Sequence, residues 1–254
     1  MILLHRLTSF AIATVIAVGF VLIIFFPQLI TQAVIMMLIL VPVLFGRLLK
    51  WDIKTTSFWI FFGAPFLLLV SSLFFFLFLE SQNVMIGLGV VVTFCTWLYA
   101  ENVFAFYHLP STYQAYALEY LSIVVYILAA FLFTSGSFAA QLFLQLPVWV
   151  PALAVFWVVL FATSGVFWVS KVASESIGLF ALSGAVLLTE LYIVLAMLPT
   201  SFLTNAAAFA VFLYLFLGLS RAHVLEKLSK EVLTRYIGIG AMMLLLIFAS
   251  ATWI

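Results

Sequence analysis

Residues 7–46 read LTSFAIATVIAVGFVLIIFFPQLITQAVIMMLILVPVLFG, forty positions without one charged side chain. A transmembrane helix needs about 20 apolar residues, so this stretch is too long for one crossing and suits two. Pro27-Gln28 lies near its middle and supplies a turn. The reading is a hairpin of two spanning helices, 7–26 and 29–46. Lipid offers the backbone no hydrogen bonds, so spanning segments are helices or closed barrels. The run lacks the strict alternation of a barrel strand, which leaves helices.

The rest of the chain has the same character. Of 254 residues, 68% are hydrophobic, 18% aromatic and only 7% charged. A soluble domain carries about 25% charged residues, so this chain cannot cover a water-facing surface. The fold class is therefore all-α, a polytopic integral membrane protein whose main partner is the lipid bilayer. The net charge of +1 says nothing about partners, and the lack of a dense basic block speaks against nucleic acid. Cys95 is the single cysteine, which excludes an intrachain disulfide or cysteine metal site. It reads as a buried, inert thiol.

Beyond Gly46 comes a basic, aromatic loop, Arg47 to Lys54, in which Trp51 suits the headgroup layer. Further helices are expected at 58–79, 84–108 and 112–134. Residues 120–170 form a second uncharged stretch, 51 long, so another crossing must lie inside it. It is placed at 148–169, which leaves 135–146 as a non-spanning surface or re-entrant segment. Helices at 177–198, 202–219 and 236–254 complete the count. Segment 221–235 is polar but periodic and reads as an interfacial amphipathic helix or an extension of the helix before it. Glu226/Lys230 and Glu231/Arg235 stand in the favourable i,i+4 order. The whole chain is treated as one transmembrane domain, 1–254.

The basic residues test the count. Arg6, then Arg47, Lys50 and Lys54, then Lys171, then Arg221, Lys227, Lys230 and Arg235 fall in gaps between apolar runs. An even number of expected helices separates successive gaps, so all nine basic residues share one side. Basic loops stay in the cytoplasm. The expected topology is nine crossings of a plasma (inner) membrane, with the N-terminus cytoplasmic and the C-terminus outside. The apolar run after Arg6 far exceeds a signal-peptide core, so the first helix is expected to be retained as an anchor.

Two segments echo each other. Glu101 precedes Leu109-Pro110-Ser111-Thr112 by the spacing at which Glu190 precedes Leu198-Pro199-Thr200-Ser201. Ile86-Gly87-Leu88 and Ile177-Gly178-Leu179 form a similar pair at nearly the same offset. Helices three to five would then repeat as six to eight. Three is odd, so the second copy would be inverted, a construction that transporters use to bind substrate near the midplane.

Ionisable residues inside a membrane cost about 2.5–3.5 kcal/mol at a helix centre and so invite a functional reading. Glu190 is embedded in an apolar run, Glu119 lies among Tyr113, Tyr116 and Tyr120, and Glu101 stands beside Asn102. His108 follows Glu101 by nearly two turns and is placed to approach Glu101 or Glu119. With Asn205 these form the candidate binding or coupling set: Glu101, Glu119, Glu190, His108, Asn102 and Asn205. The competing reading is that such groups hold helices together by hydrogen bonds.

Catalytic patterns are missing. There is no H-E-x-x-H, G-x-S-x-G or P-loop, and His5, His108 and His223 are scattered. No metal or cofactor is expected, and a lipid-modifying or intramembrane enzyme ranks third among the readings because these motifs are missing. The sequence supports a transporter-like protein moving a small solute, proton or cation. The alternative is a non-catalytic subunit or scaffold that packs against other membrane proteins or a second copy of itself.

Overall fold

A computed structural model describes residues 2–109, 113, 117–172 and 174–251, without the side chains of residues 2–5, 174 and 175. Among these residues nine α-helices are long and apolar enough to cross a membrane, and there is no strand. They are α1 (Ile2–Phe25), α2 (Ile30–Leu48), α3 (Thr56–Phe76), α4 (Gln82–His108), α5 (Ala117–Leu144), α6 (Trp149–Val169), α7 (Ser174–Ala196), α8 (Phe202–Val224) and α9 (Lys230–Ala249). The all-helical, multi-pass character expected from the charge gaps is present. Pro27 opens a short 3₁₀ turn between α1 and α2, where its missing N–H costs nothing. Pro110, Ser111, Thr112 and Tyr116, the last three residues of the chain, and the side chains of His5 and Glu175 lie outside the described residues.

Two expectations change. Residues 135–144 are not a surface segment; they continue α5, which runs 28 residues, about 42 Å at 1.5 Å per residue. Thr134 and Ser135 look like loop residues, but their hydroxyls donate back to the Ala130 and Phe131 carbonyls at 2.8 Å. Satisfied in this way, they stay helical, and Ser135, Ser137, Ala139 and Ala140 are buried. Segment 221–235 is not one amphipathic helix either. α8 continues to Val224, a turn follows, and α9 begins at Lys230. Glu226 takes a left-handed backbone in that turn (φ 55°), and Ser229 caps α9 by accepting from the Val232 N–H. The turn removes the helical register that would pair Glu226 with Lys230.

The chain forms two compact units, Met1–Val125 and Tyr126–Ile254. In the first, α1 packs on α2 and α4, and α3 packs on α2 and α4. The core is made by Ile12, Ile16 and Phe20 of α1 with Met37, Val41 and Phe45 of α2. Lipid tails are as apolar as these side chains, so close packing rather than the hydrophobic effect holds such helices. Gly19 shows this, since a Cβ there would collide with the Met37 thioether. At the end of α2, Lys50 and Trp51 adopt positive φ, and the Trp51 N–H donates to the Gly46 carbonyl at 2.8 Å. The Trp51 ring folds over Gly46, where a Cβ would stand 2.8 Å from it. Cys95 is half-buried on α4, not buried as expected.

In the second unit α6 packs along α7, α7 on α8, and α8 on α9. Gly165 of α6 admits the Tyr126 hydroxyl, and Gly240 of α9 admits Leu215 of α8. Gly240 is the one buried residue described on α9.

Candidate functional site

The candidate residues sit in four separate settings. The first lies in the Met1–Val125 unit where α4 runs beside the start of α1. Arg6 Nε stands 3.3 Å from Glu101 Oε1, with the arginine 60% and the glutamate 27% exposed. Half-wet pairs of this kind contribute little stability, ~0–1 kcal/mol. Asn102 turns back on its own helix, its Nδ2 donating to the Leu98 carbonyl at 2.8 Å. His108 stacks on Phe104 with ring centroids 5.2 Å apart, and its Nε2 lies 3.4 Å from the Leu48 carbonyl at the end of α2.

Glu119 occupies the first turn of α5 and is buried. Free N–H groups at a helix start favour a carboxylate there. The Tyr113 hydroxyl accepts from the Leu118 N–H at 3.0 Å and so caps the same turn. Sequence reasoning placed Tyr113 beside Glu119 but missed this role.

Glu190 is different. It is exposed on α7, on a face shared with Leu179, Leu182, Val186, Leu187 and Val194, all exposed. The helix turns its small and aromatic residues inward instead: Ala181, Ala185 and Tyr192 are buried. The two glutamates of the sequence echo therefore have unlike surroundings, one paired with an arginine and one on an open apolar face.

Asn205 belongs to a polar cluster in the Tyr126–Ile254 unit. Ser201 caps α8 by accepting from the Thr204 N–H, which fixes the turn after α7. The Thr200 hydroxyl in that turn donates to Asn205 Oδ1. Nearby, Gln141 Nε2 of α5 donates to the Tyr192 hydroxyl at 2.8 Å. Gln141, Thr200 and Asn205 line a cavity of about 280 Å³ with Phe138, Leu142 and Phe202. It holds no charged group and could accept only a small neutral molecule or water through amide and hydroxyl contacts. Gln141 was missed in the sequence because its segment was read as non-spanning, although an amide inside a 51-residue uncharged run was the available signal.

Two further cavities, one along α1 and α4 and one beside Tyr214 of α8, are almost wholly apolar in their lining. None of the three described cavities is lined by Glu101, Glu119 or Glu190. The chain matches no protein-family model, no curated protein and no solved structure.

Proposed function

We propose that this chain is a non-catalytic membrane subunit that receives a partner transmembrane helix on the exposed face of α7. One observation carries the reading: Glu190 stands on an exposed apolar face and lines none of the three described cavities. A carboxyl group facing lipid is costly, and a partner helix bearing a hydrogen-bond donor at the same depth recovers part of that cost. The short connections agree, since they leave little chain in water for other chemistry. In this reading the N-terminus is cytoplasmic, the C-terminus lies outside, and the membrane is the plasma (inner) membrane.

A photo-crosslinker at Val194, one turn from Glu190, tests the idea in native membranes. A single protein adduct of discrete mass, lost in Glu190→Leu and kept in Glu190→Gln, is the expected result. Adducts to lipid alone, or an adduct indifferent to Glu190→Leu, would remove the docking role.

The uncharged cavity at Asn205 favours a second reading, binding of a small neutral solute by the transporter-like alternative. That reading requires Asn205→Leu to abolish uptake or binding while Glu190→Leu leaves it intact.

A further inference from the structure

The groove between α1 and α4 begins one turn from Glu101 of the candidate set, and the residues along it fall in one antiparallel register. Arg6 faces Glu101 and Phe10 faces Trp97, with ring centroids 6.0 Å apart; one turn further, Thr14 and Thr93 both line the groove. Each step is four residues on both helices, so these pairs form a ladder up one face. Beyond them the floor is made small by Ala13, Ala17 and Gly89. The cavity measures about 530 Å³ and extends along α1 from Phe10 to Phe25. Those fifteen steps span ~22 Å. One leaflet contributes about half of a ~30 Å hydrocarbon core, so the groove is longer than a leaflet is deep.

The polar atoms lie at one end. Arg6 spends its Nε on Glu101 yet stays 60% exposed, so much of its guanidinium faces outward at the groove's mouth. Three atoms along the α4 side of the ladder, Thr93 Oγ1, Trp97 Nε1 and Glu101 Oε2, are buried without a hydrogen-bond partner among the described residues. Unpaired polar groups withdrawn from water are costly, and several along one stripe call for a ligand that supplies their partners.

We propose that this groove binds one phospholipid of the adjoining leaflet, with a primary amine in its headgroup. One acyl chain lies along Ala13, Ala17 and Gly89. The phosphate takes charge-assisted hydrogen bonds from Arg6, and the ammonium donates to the exposed part of the Glu101 carboxylate. An ester carbonyl sits one turn deeper than the phosphate, at the level of the Trp97 N–H. The charge pattern selects the headgroup. Arg6 and Glu101 together are neutral, so they match a zwitterion better than a net anion, and Glu101 requires an N–H donor. A quaternary amine has none.

The test is competitive lipid retention on the whole protein in nanodiscs, read by native mass spectrometry. Phosphatidylethanolamine, phosphatidylcholine and phosphatidylglycerol of identical chains are supplied in equal amounts. One phosphatidylethanolamine per chain is expected, at five- to tenfold preference over the other two. Arg6→Gln should reduce retention of all three phospholipids. Glu101→Gln should equalise the ethanolamine and choline lipids. Ala17→Phe, which fills the floor, should abolish retention without touching the headgroup residues. Far-UV circular dichroism and elution volume guard against misfolding, and Arg6→Lys must restore partial retention. Equal retention of the three lipids by the unaltered protein, or retention indifferent to Ala17→Phe, would overturn the proposal. So would a dimer whose contact, mapped by cross-links from Val21, fills the groove with a second copy.

Discussion

Gln141 of α5 donates from Nε2 to the Tyr192 hydroxyl of α7 at 2.8 Å, and Tyr192 in turn stacks on Phe138 with ring centroids 4.4 Å apart. Fifty-one positions of sequence separate the two polar groups, and the contact joins α5 to α7 within one compact unit. Tyr192 is fully buried and meets Phe209 edge-on, so its ring is held whether or not the hydroxyl is present. Tyr192→Phe should therefore remove the hydroxyl's contacts to Gln141 and Ser137 without moving the ring. Interhelical bonds of this kind in membranes are worth about 0.6 kcal/mol on average and up to about 1.7. A double-mutant cycle with Gln141→Leu, read by denaturant titration in detergent, should return a coupling in that range. A coupling of zero would show that the bond adds nothing to α5–α7 packing.

Two glycines give opposite signs. Gly165 lies against Tyr126, where a Cβ would stand 2.6 Å from the phenol Cζ, and Tyr126 is fully buried. The ring has little room to retreat, so Gly165→Ala should destabilise by about 1–3 kcal/mol, the usual cost of overpacking. Tyr126→Phe should leave most of that loss in place, because the ring clashes as well as the hydroxyl, whereas Tyr126→Leu should relieve it. Gly238 of α9 has nothing within 4 Å of a built Cβ. Gly238→Ala should be neutral or stabilise the helix by up to about 1 kcal/mol. Equal effects at the two positions would contradict the packing described for α6.

The helix boundaries and the polar contacts were not equally readable. Charge gaps located the spans because Lys and Arg mark helix ends, and α6 was expected at 148–169 and lies at Trp149–Val169. The reading failed where residue type and environment disagree. Ser135, Gly136 and Ser137 resemble a loop in water, but in a buried helix the Thr134 and Ser135 hydroxyls satisfy themselves on the preceding turn. The periodicity of 221–235 was real, yet a local turn at Glu226 divides it. Of the candidate site, the position of each glutamate along its helix was legible, whereas its direction was not. Glu101 points at Arg6 and Glu190 points away from its unit's core, and that difference depends on which neighbouring helix packs where. The Arg6–Glu101 contact joins residues 95 positions apart, beyond what local spacing can reveal.

Topology is open to a direct check. Between Leu146, in the connection after α5, and Leu228, in the turn before α9, the chain contains α6, α7 and α8. Three crossings put the two positions on opposite sides. Both are exposed, and Cys95→Ser provides a background without thiols. In intact cells a membrane-impermeant maleimide should label Leu146→Cys and reach Leu228→Cys only after permeabilisation, because basic loops are retained inside. Labelling of both from one side would mean that α6, α7 or α8 does not cross. The reverse pattern would preserve these three crossings and invert the orientation.

Glu190 offers a prediction that separates insertion from folding. It lies six residues before the end of α7, so it enters the apolar region from that end without reaching the centre. On insertion scales an ionisable residue costs about 2.5–3.5 kcal/mol at the centre, and less toward the ends. Glu190→Leu should thus ease insertion of the isolated α7 segment by a measurable amount, below about 3 kcal/mol, in a glycosylation-mapping assay. The folded chain should respond differently. Glu190 is exposed and its unit buries Ala181, Ala185 and Tyr192 instead, so the same substitution should leave detergent unfolding within about 0.5 kcal/mol of the unaltered protein. A large loss of stability would place Glu190 inside the fold and remove it from the surface offered to a partner. Easier insertion with unchanged stability would instead mean that the carboxyl is carried at a cost the isolated chain does not recover, as a docking residue requires.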